Sequence, residues 1–130
     1  MSNEQPLKVL VVDDEIHIVQ VVAIKFRNNG FDVITCENGA QALQLASDEK
    51  PNIIITDVQM PVMTGIELVQ NLRSNPDTAE LPVILLTARG FEIEDRQKAE
   101  LNISAYVSKP FSPRELLQSA EEVLKESVAV

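Results

Sequence analysis

Three runs of uninterrupted aliphatic residues, Val9–Val12, Ile53–Ile55 and Val83–Leu86, constrain the fold more than any other feature of the chain. A strand with one face in water alternates apolar and polar residues. A strand that is apolar at every position must be covered on both faces, as in a parallel sheet clothed by helices. Two further short runs also have strand character. The five expected strands are Lys8–Val12, Phe31–Cys36, Asn52–Thr56, Pro82–Leu86 and Ala105–Val107.

Helical patterns lie between them. Val19, Val22, Ala23 and Phe26 form an apolar stripe, stopped by Asn29-Gly30. Asn38 opens a second helix through Ala42, Leu43 and Ala46 that closes before Pro51. Thr64 and Glu67 have capping-box spacing ahead of Leu68, Val69 and Leu72. Ser112 and Glu115 repeat it ahead of Leu116, Leu117, Ala120, Val123 and Leu124, with Pro113 at the first helical position. The fourth helix, about Phe91 to Leu101, is poor in apolar residues and rich in charge, so it should be loosely held. Five βα units with right-handed crossovers predict an α/β fold. We expect a doubly wound, five-stranded parallel sheet of flavodoxin-like order 2-1-3-4-5 in three α/β/α layers. The length of 130 residues suits a single domain spanning residues 1–130.

Composition narrows the partners. A formal net charge of −9 disfavours nucleic acid and anionic membrane surfaces, which need the opposite sign. One thiol, Cys36, cannot form an internal disulfide and reads as a small apolar residue at a strand end. Met1 to Pro6 are polar and carry no signal-peptide pattern, and no apolar run reaches the length of a membrane span. A soluble, cytoplasmic protein is the expectation.

In open parallel sheets, ligands gather beyond the carboxyl ends of the strands, at the point where strand order reverses. Here those ends carry Asp13-Asp14, Asp57, Thr87 and Lys109-Pro110. Each residue alone has an ordinary reading: Asp14 as a helix cap, Asp57 as a loop opener, Thr87 as a strand end, Lys109 as a surface lysine. Together they bring three carboxylates to one edge, beside a hydroxyl and an ammonium. Crowded carboxylates repel one another. Lys109 and a hard divalent cation, Mg²⁺, Mn²⁺ or Ca²⁺, would offset that repulsion, and Mg²⁺ suits a small open site with room for phosphate oxygens.

Four segments carry a family resemblance: Val11-Val12-Asp13-Asp14-Glu15; Thr56-Asp57-Val58-Gln59-Met60-Pro61 with Gly65; Leu86-Thr87-Ala88; and Lys109-Pro110-Phe111. In this order the chain resembles the receiver domains of two-component response regulators, of the chemotaxis-regulator kind, from about Lys8 to Lys125. The resemblance implies that Asp57 is a phosphoacceptor and Asp14 a direct Mg²⁺ ligand. Asp13 would be a ligand through water, and the Gln59 backbone carbonyl another ligand. Mn²⁺ could substitute for Mg²⁺. Thr87 and Lys109 would each contact a phosphoryl oxygen, and Lys109-Pro110 would be a cis peptide. Tyr106 matches an aromatic switch position, coupled to Thr87, on an output face made of helix four, strand five and helix five. Gln59 and Arg89 match positions that tune the lifetime of the acyl phosphate.

The implied donor is a phosphohistidine of a sensor histidine kinase or a phosphotransfer protein, and the implied output a downstream protein or domain. On this reading the chain is a signalling switch rather than an enzyme acting on a small substrate. Gln118, Ser119, Glu121, Glu122 and Glu126 replace the basic residues that pair across dimers of DNA-binding members, so a monomer without direct nucleic-acid contact is expected. Three alternatives compete. A flavin carrier is disfavoured because Asp13-Asp14-Glu15 would repel its phosphate. An aspartyl phosphatase needs an acid where Gln59 stands. A phosphorylation-independent pseudo-receiver would lack part of the acid, acceptor and lysine set, which here is complete.

Overall fold

The computed structural model describes residues 6–128. Residues 1–5, read above as a polar lead, lie outside them. Strands β1 (Lys8–Val12), β2 (Asp32–Cys36), β3 (Ile53–Asp57), β4 (Val83–Thr87) and β5 (Ala105–Ser108) alternate with five helices. These are α1 (Ile16–Arg27), α2 (Gly39–Glu49), α3 (Gly65–Ser74), α4 (Asp95–Leu101) and α5 (Pro113–Val128). All strand pairs are parallel and the order is β2-β1-β3-β4-β5, as expected.

The aliphatic runs are continuous because each strand feeds two cores. Val9, Val11, Ile53, Ile55, Ile84 and Leu86 face α1 and α5, where Val22, Phe26, Leu116 and Ala120 meet them. The alternate residues Leu10, Val12, Ile54, Val83 and Leu85 face α2, α3 and α4, through Ala42, Ala46, Leu68, Leu72 and Leu101. Each fully buried Leu, Ile or Val contributes about 1.5–3 kcal/mol by leaving water.

Caps fall where their residues predict. Thr64 and Glu67 close a reciprocal capping box, and the Asn38 side chain accepts from Gln41 N at 2.9 Å. The Glu115 amide donates to Ser112 Oγ at 3.0 Å. Gly30 takes a positive φ of 89° after α1, which a side chain would resist.

One boundary differs. The fourth helix begins at Asp95, not near Phe91. Phe91 and Ile93 are instead half-buried against the second core ahead of the helix, and Glu94 enters it with φ −64° and ψ 145° and no side-chain cap. Burying two apolar side chains outweighs one extra turn of a highly charged helix. Among the described residues, no helix is long and apolar enough to cross a membrane.

Candidate functional site

Register brings the acids together. Val12 of β1 lies opposite Thr56 of β3, so the residues that follow, Asp13 and Asp57, emerge side by side at the carboxyl edge. Asp14 completes the group, and oxygens of the three carboxylates lie within 4.8 Å of one another. Asp13 and Asp57 are buried and Asp14 is exposed. Such a set, two walls and an open mouth made of hard oxygens, fits Mg²⁺ or Mn²⁺. Asp13 carries a further sign of an unmet partner: its buried Oδ2 makes no satisfactory hydrogen bond. That oxygen does lie 3.0 Å from Lys109 Nζ, an ion pair with poor hydrogen-bond alignment, so the ammonium meets its charge without saturating its lone pairs.

Lys109 arrives from the far side. β5 pairs with β4 through Thr87 and Ser108, and the Lys109 amide donates to the Thr87 carbonyl at 2.7 Å. The Lys109–Pro110 bond is cis. Lys109 Nζ lies 2.9 Å from Glu15 Oε1, 3.0 Å from Asp13 Oδ2 and 3.3 Å from Asp57 Oδ1.

The charges respond to this crowding. Burial raises the Asp13 carboxyl above its ordinary range, against the lowering pull of the Glu15 amide and Lys109. Burial also raises Asp57, the Asp13 charge adds to it, and Lys109 opposes both. For Lys109, burial works to lower the pKa. Its hydrogen bond to Glu15, its close contact with Asp13 and the charges of Asp13 and Asp57 together outweigh burial and hold it above the usual lysine value.

The other candidate residues sit around this centre. Thr87 is buried at the end of β4, next to the acids. Gln59 is exposed, and among the described residues none donates a hydrogen bond to its carbonyl. Tyr106 is not in the acid cluster. It is 40% exposed and lines a cavity of about 350 Å³ with Thr87, Phe91, Ile93 and Lys98. Arg89 is exposed and lines a groove with Glu15, Ile18, Lys109 and Phe111.

Two contributors stand in the segments that carry the resemblance but had no role assigned to them in the sequence. Glu15 is the nearest partner of Lys109, yet it reads in sequence as one more acid after Asp13-Asp14. Gly65 presses so closely on the Asp57 carbonyl that any Cβ there would overlap it, while the Gly65 amide donates to the Val58 carbonyl at 2.8 Å. On the other side of the same loop, a Cβ on Gly39 would fall 2.8 Å from the Met63 carbonyl oxygen. The loop after Asp57 is thus clamped between two glycines, and only the spacing Asp57 to Gly65 could have hinted at it.

Comparison with known proteins agrees with this geometry. The family model of the response regulator receiver domain matches residues 9–121. The chain is 39% identical over 120 residues to the alkaline phosphatase synthesis transcriptional regulatory protein PhoP of Bacillus subtilis, covering 92% of this chain and 49% of PhoP. It is 38% identical over 117 residues to the phosphate regulon transcriptional regulatory protein PhoB of Pseudomonas aeruginosa, covering 90% and 51%. The chain therefore spans about half the length of these curated relatives. Among solved structures, the chemotaxis response regulator CheY4 of Vibrio cholerae superposes with a TM-score of 0.84 at 34% identity, covering 92% of this chain and 99% of that one. With its sheet order, its strand-end acids and these matches, the chain belongs to the receiver domain family of two-component response regulators, which are switches in signal transduction.

Proposed function

We propose that the chain, as a single receiver domain over residues 1–130, accepts a phosphoryl group on Asp57. The observation that carries this is the cluster of three carboxylates within 4.8 Å, with Lys109 3.3 Å from the acceptor oxygen. The donor is a phosphohistidine of a sensor histidine kinase or a phosphotransfer protein. Asp57 Oδ attacks phosphorus in line, an O–P bond forms, the P–N bond breaks, and the imidazole leaves with the bonding pair and takes up a proton. Asp13, Asp14, Asp57 and the Gln59 carbonyl would hold Mg²⁺, or Mn²⁺ in its place, which when bound neutralises charge on the phosphoryl oxygens. Lys109 meets one phosphoryl oxygen and the Thr87 hydroxyl donates to another. Water later hydrolyses the acyl phosphate. The protein so acts only on its own phosphorylation state, in the cytoplasm, as a monomer that does not itself touch nucleic acid or membrane.

The signal would leave through Thr87 and Tyr106. When Thr87 turns toward the phosphoryl group, Tyr106 swings inward and the α4–β5–α5 face changes for a downstream protein or output domain. The lack of a side-chain cap on α4 supports this, since little holds its first turn. A beryllofluoride titration followed by NMR should move the Tyr106 region, and an unmoved region would remove the switch. The bulky, exposed Gln59 and Arg89 would shield the acyl phosphate, so truncating them should hasten its decay.

Incubation with Mg²⁺ and a small acyl-phosphate donor, read by intact mass, tests the proposal. Wild type should gain the mass of one phosphoryl group and Asp57→Asn should not. A protein that gained none would be a phosphorylation-independent scaffold. The complete acid, acceptor and lysine set speaks against that reading.

A further inference from the structure

Lys109 is surrounded by carboxylates, and the nearest is not the acceptor. Its ammonium hydrogen-bonds Glu15 Oε1 at 2.9 Å and lies 3.0 Å from Asp13 and 3.3 Å from Asp57. Of its three donors, one makes a hydrogen bond, to Glu15, while Asp13 and Asp57 hold the ammonium as ion pairs without hydrogen-bond alignment. A phosphoryl oxygen that draws Lys109 to itself competes with the Glu15 hydrogen bond and with the charges of the two aspartates. The two that remain anionic on either side of the acceptor differ sharply. The Asp13 side chain has no exposed surface, and stripping its counter-charge would leave a buried, unpaired carboxylate. The Glu15 side chain is 59% exposed, so water can replace the lysine at little cost.

Resting on the reading of Asp57 as phosphoacceptor, we propose that Glu15 is the exchangeable partner of Lys109. It holds the ammonium beside the unmodified acceptor and yields it to a phosphoryl oxygen once Asp57 is modified. Glu15 is a positioning residue, and its main chain is suited to the task. Its amide is held by Asp13 Oδ1 at 2.9 Å, and its carbonyl accepts from Ile18 and Val19 at the start of α1. The backbone is fixed while the side chain can swing into the groove it shares with Ile18, Val21 and Phe111.

The test is the affinity for beryllium trifluoride, a phosphoryl mimic, in saturating Mg²⁺, followed by NMR in wild type, Glu15→Gln and Glu37→Gln. Glu37 lines the cavity on the other side of Asp13 and Asp14, and its loss removes the same charge without touching Lys109. Glu15→Gln should tighten binding roughly 1.5- to 5-fold, the range that losing an exposed ion pair allows, and Glu37→Gln should change it by a clearly smaller factor. A second readout needs no ligand. The Lys109 ammonium signal in ¹⁵N-edited spectra of the Mg²⁺-free protein should shift in Glu15→Gln and stay in place in Glu37→Gln. Equal tightening by both variants, no tightening by Glu15→Gln, or an unmoved Lys109 signal overturns the exchange. If wild type takes up no beryllium trifluoride, it is the acceptor reading that fails. If wild type binds and the variants match it, only the role of Glu15 fails.

Discussion

Replacing Asp57 by Asn keeps the shape of the side chain while taking one charge out of a cluster of three acids. At an effective dielectric constant of about 20, Asp13 at no more than 4.8 Å repels Asp57 by about 3.5 kcal/mol. Asp14 is exposed, so its repulsion over the same distance is closer to the value in water, about 1 kcal/mol. Lys109 at 3.3 Å returns about 5 kcal/mol of attraction at the same dielectric constant as Asp13. The pair energies therefore cancel to within about 1 kcal/mol, and the desolvation of Asp57 decides the sign. This agrees with the raised pKa of Asp57, for which burial is the first cause.

We expect Asp57→Asn to stabilise the metal-free protein at neutral pH by about 1–2 kcal/mol, or roughly 3–10 °C in Tm. The pH dependence has a definite direction. A carboxyl whose folded pKa lies above its unfolded value of 3.8 costs nothing below 3.8. The cost grows as pH rises through the window between the two values and is complete above the folded one. The advantage of Asn should thus be larger at neutral pH than in acid and shrink towards zero as pH falls past about 4. Urea unfolding in a chelator, followed by circular dichroism at both pH values, measures it. Mg²⁺ should then stabilise wild type more than the variant and narrow the gap. An Asn variant less stable than wild type at neutral pH without metal, or a gap independent of pH, would refute the electrostatic account.

Arg73→Met should destabilise the fold by about 2–3 kcal/mol and speed hydrogen exchange at the end of α4. The Arg73 guanidinium reaches the carbonyls of Leu101 at 2.7 Å, Leu81 at 2.8 Å and Ala79 at 3.1 Å, and these would be left unpaired. Val62→Gly should stabilise the fold by roughly 0.5–1 kcal/mol, raising the urea midpoint at constant slope. Val62 is a β-branched residue at φ 71°, 81% exposed, bridged by a Met63 N to Pro61 O bond of 2.7 Å, so it has strain to lose and little packing to forfeit. Burial pushes the Cys36 thiol up to about 11. Its reaction with a disulfide reagent at mildly alkaline pH should be at least about 100-fold slower in the folded protein than in urea, and equal rates would show the thiol is not protected.

Much of the architecture was legible in the sequence because it reports local burial. The unbroken runs Val9–Val12, Ile53–Ile55 and Val83–Leu86 announce strands covered on both faces, and the pairs Thr64/Glu67 and Ser112/Glu115 satisfy amides within one turn. Such signals need only neighbours in the chain. The start of α4 was not legible, because Phe91 and Ile93 choose the second core over the helix, and that core is built by elements distant in the chain, from β1 and α2 to α3 and β4. Nor was the choice that Lys109 makes among three acids. Glu15 lies 94 residues away in sequence, and only the parallel register of β1, β3 and β4, with the glycine clamp on the loop after Asp57, sets which carboxylate comes within 2.9 Å. Residue types determined that acids, a hydroxyl and a lysine would end the strands. Tertiary structure decided their distances, because Coulomb energy and hydrogen bonding depend on ångströms that spacing along the chain does not encode.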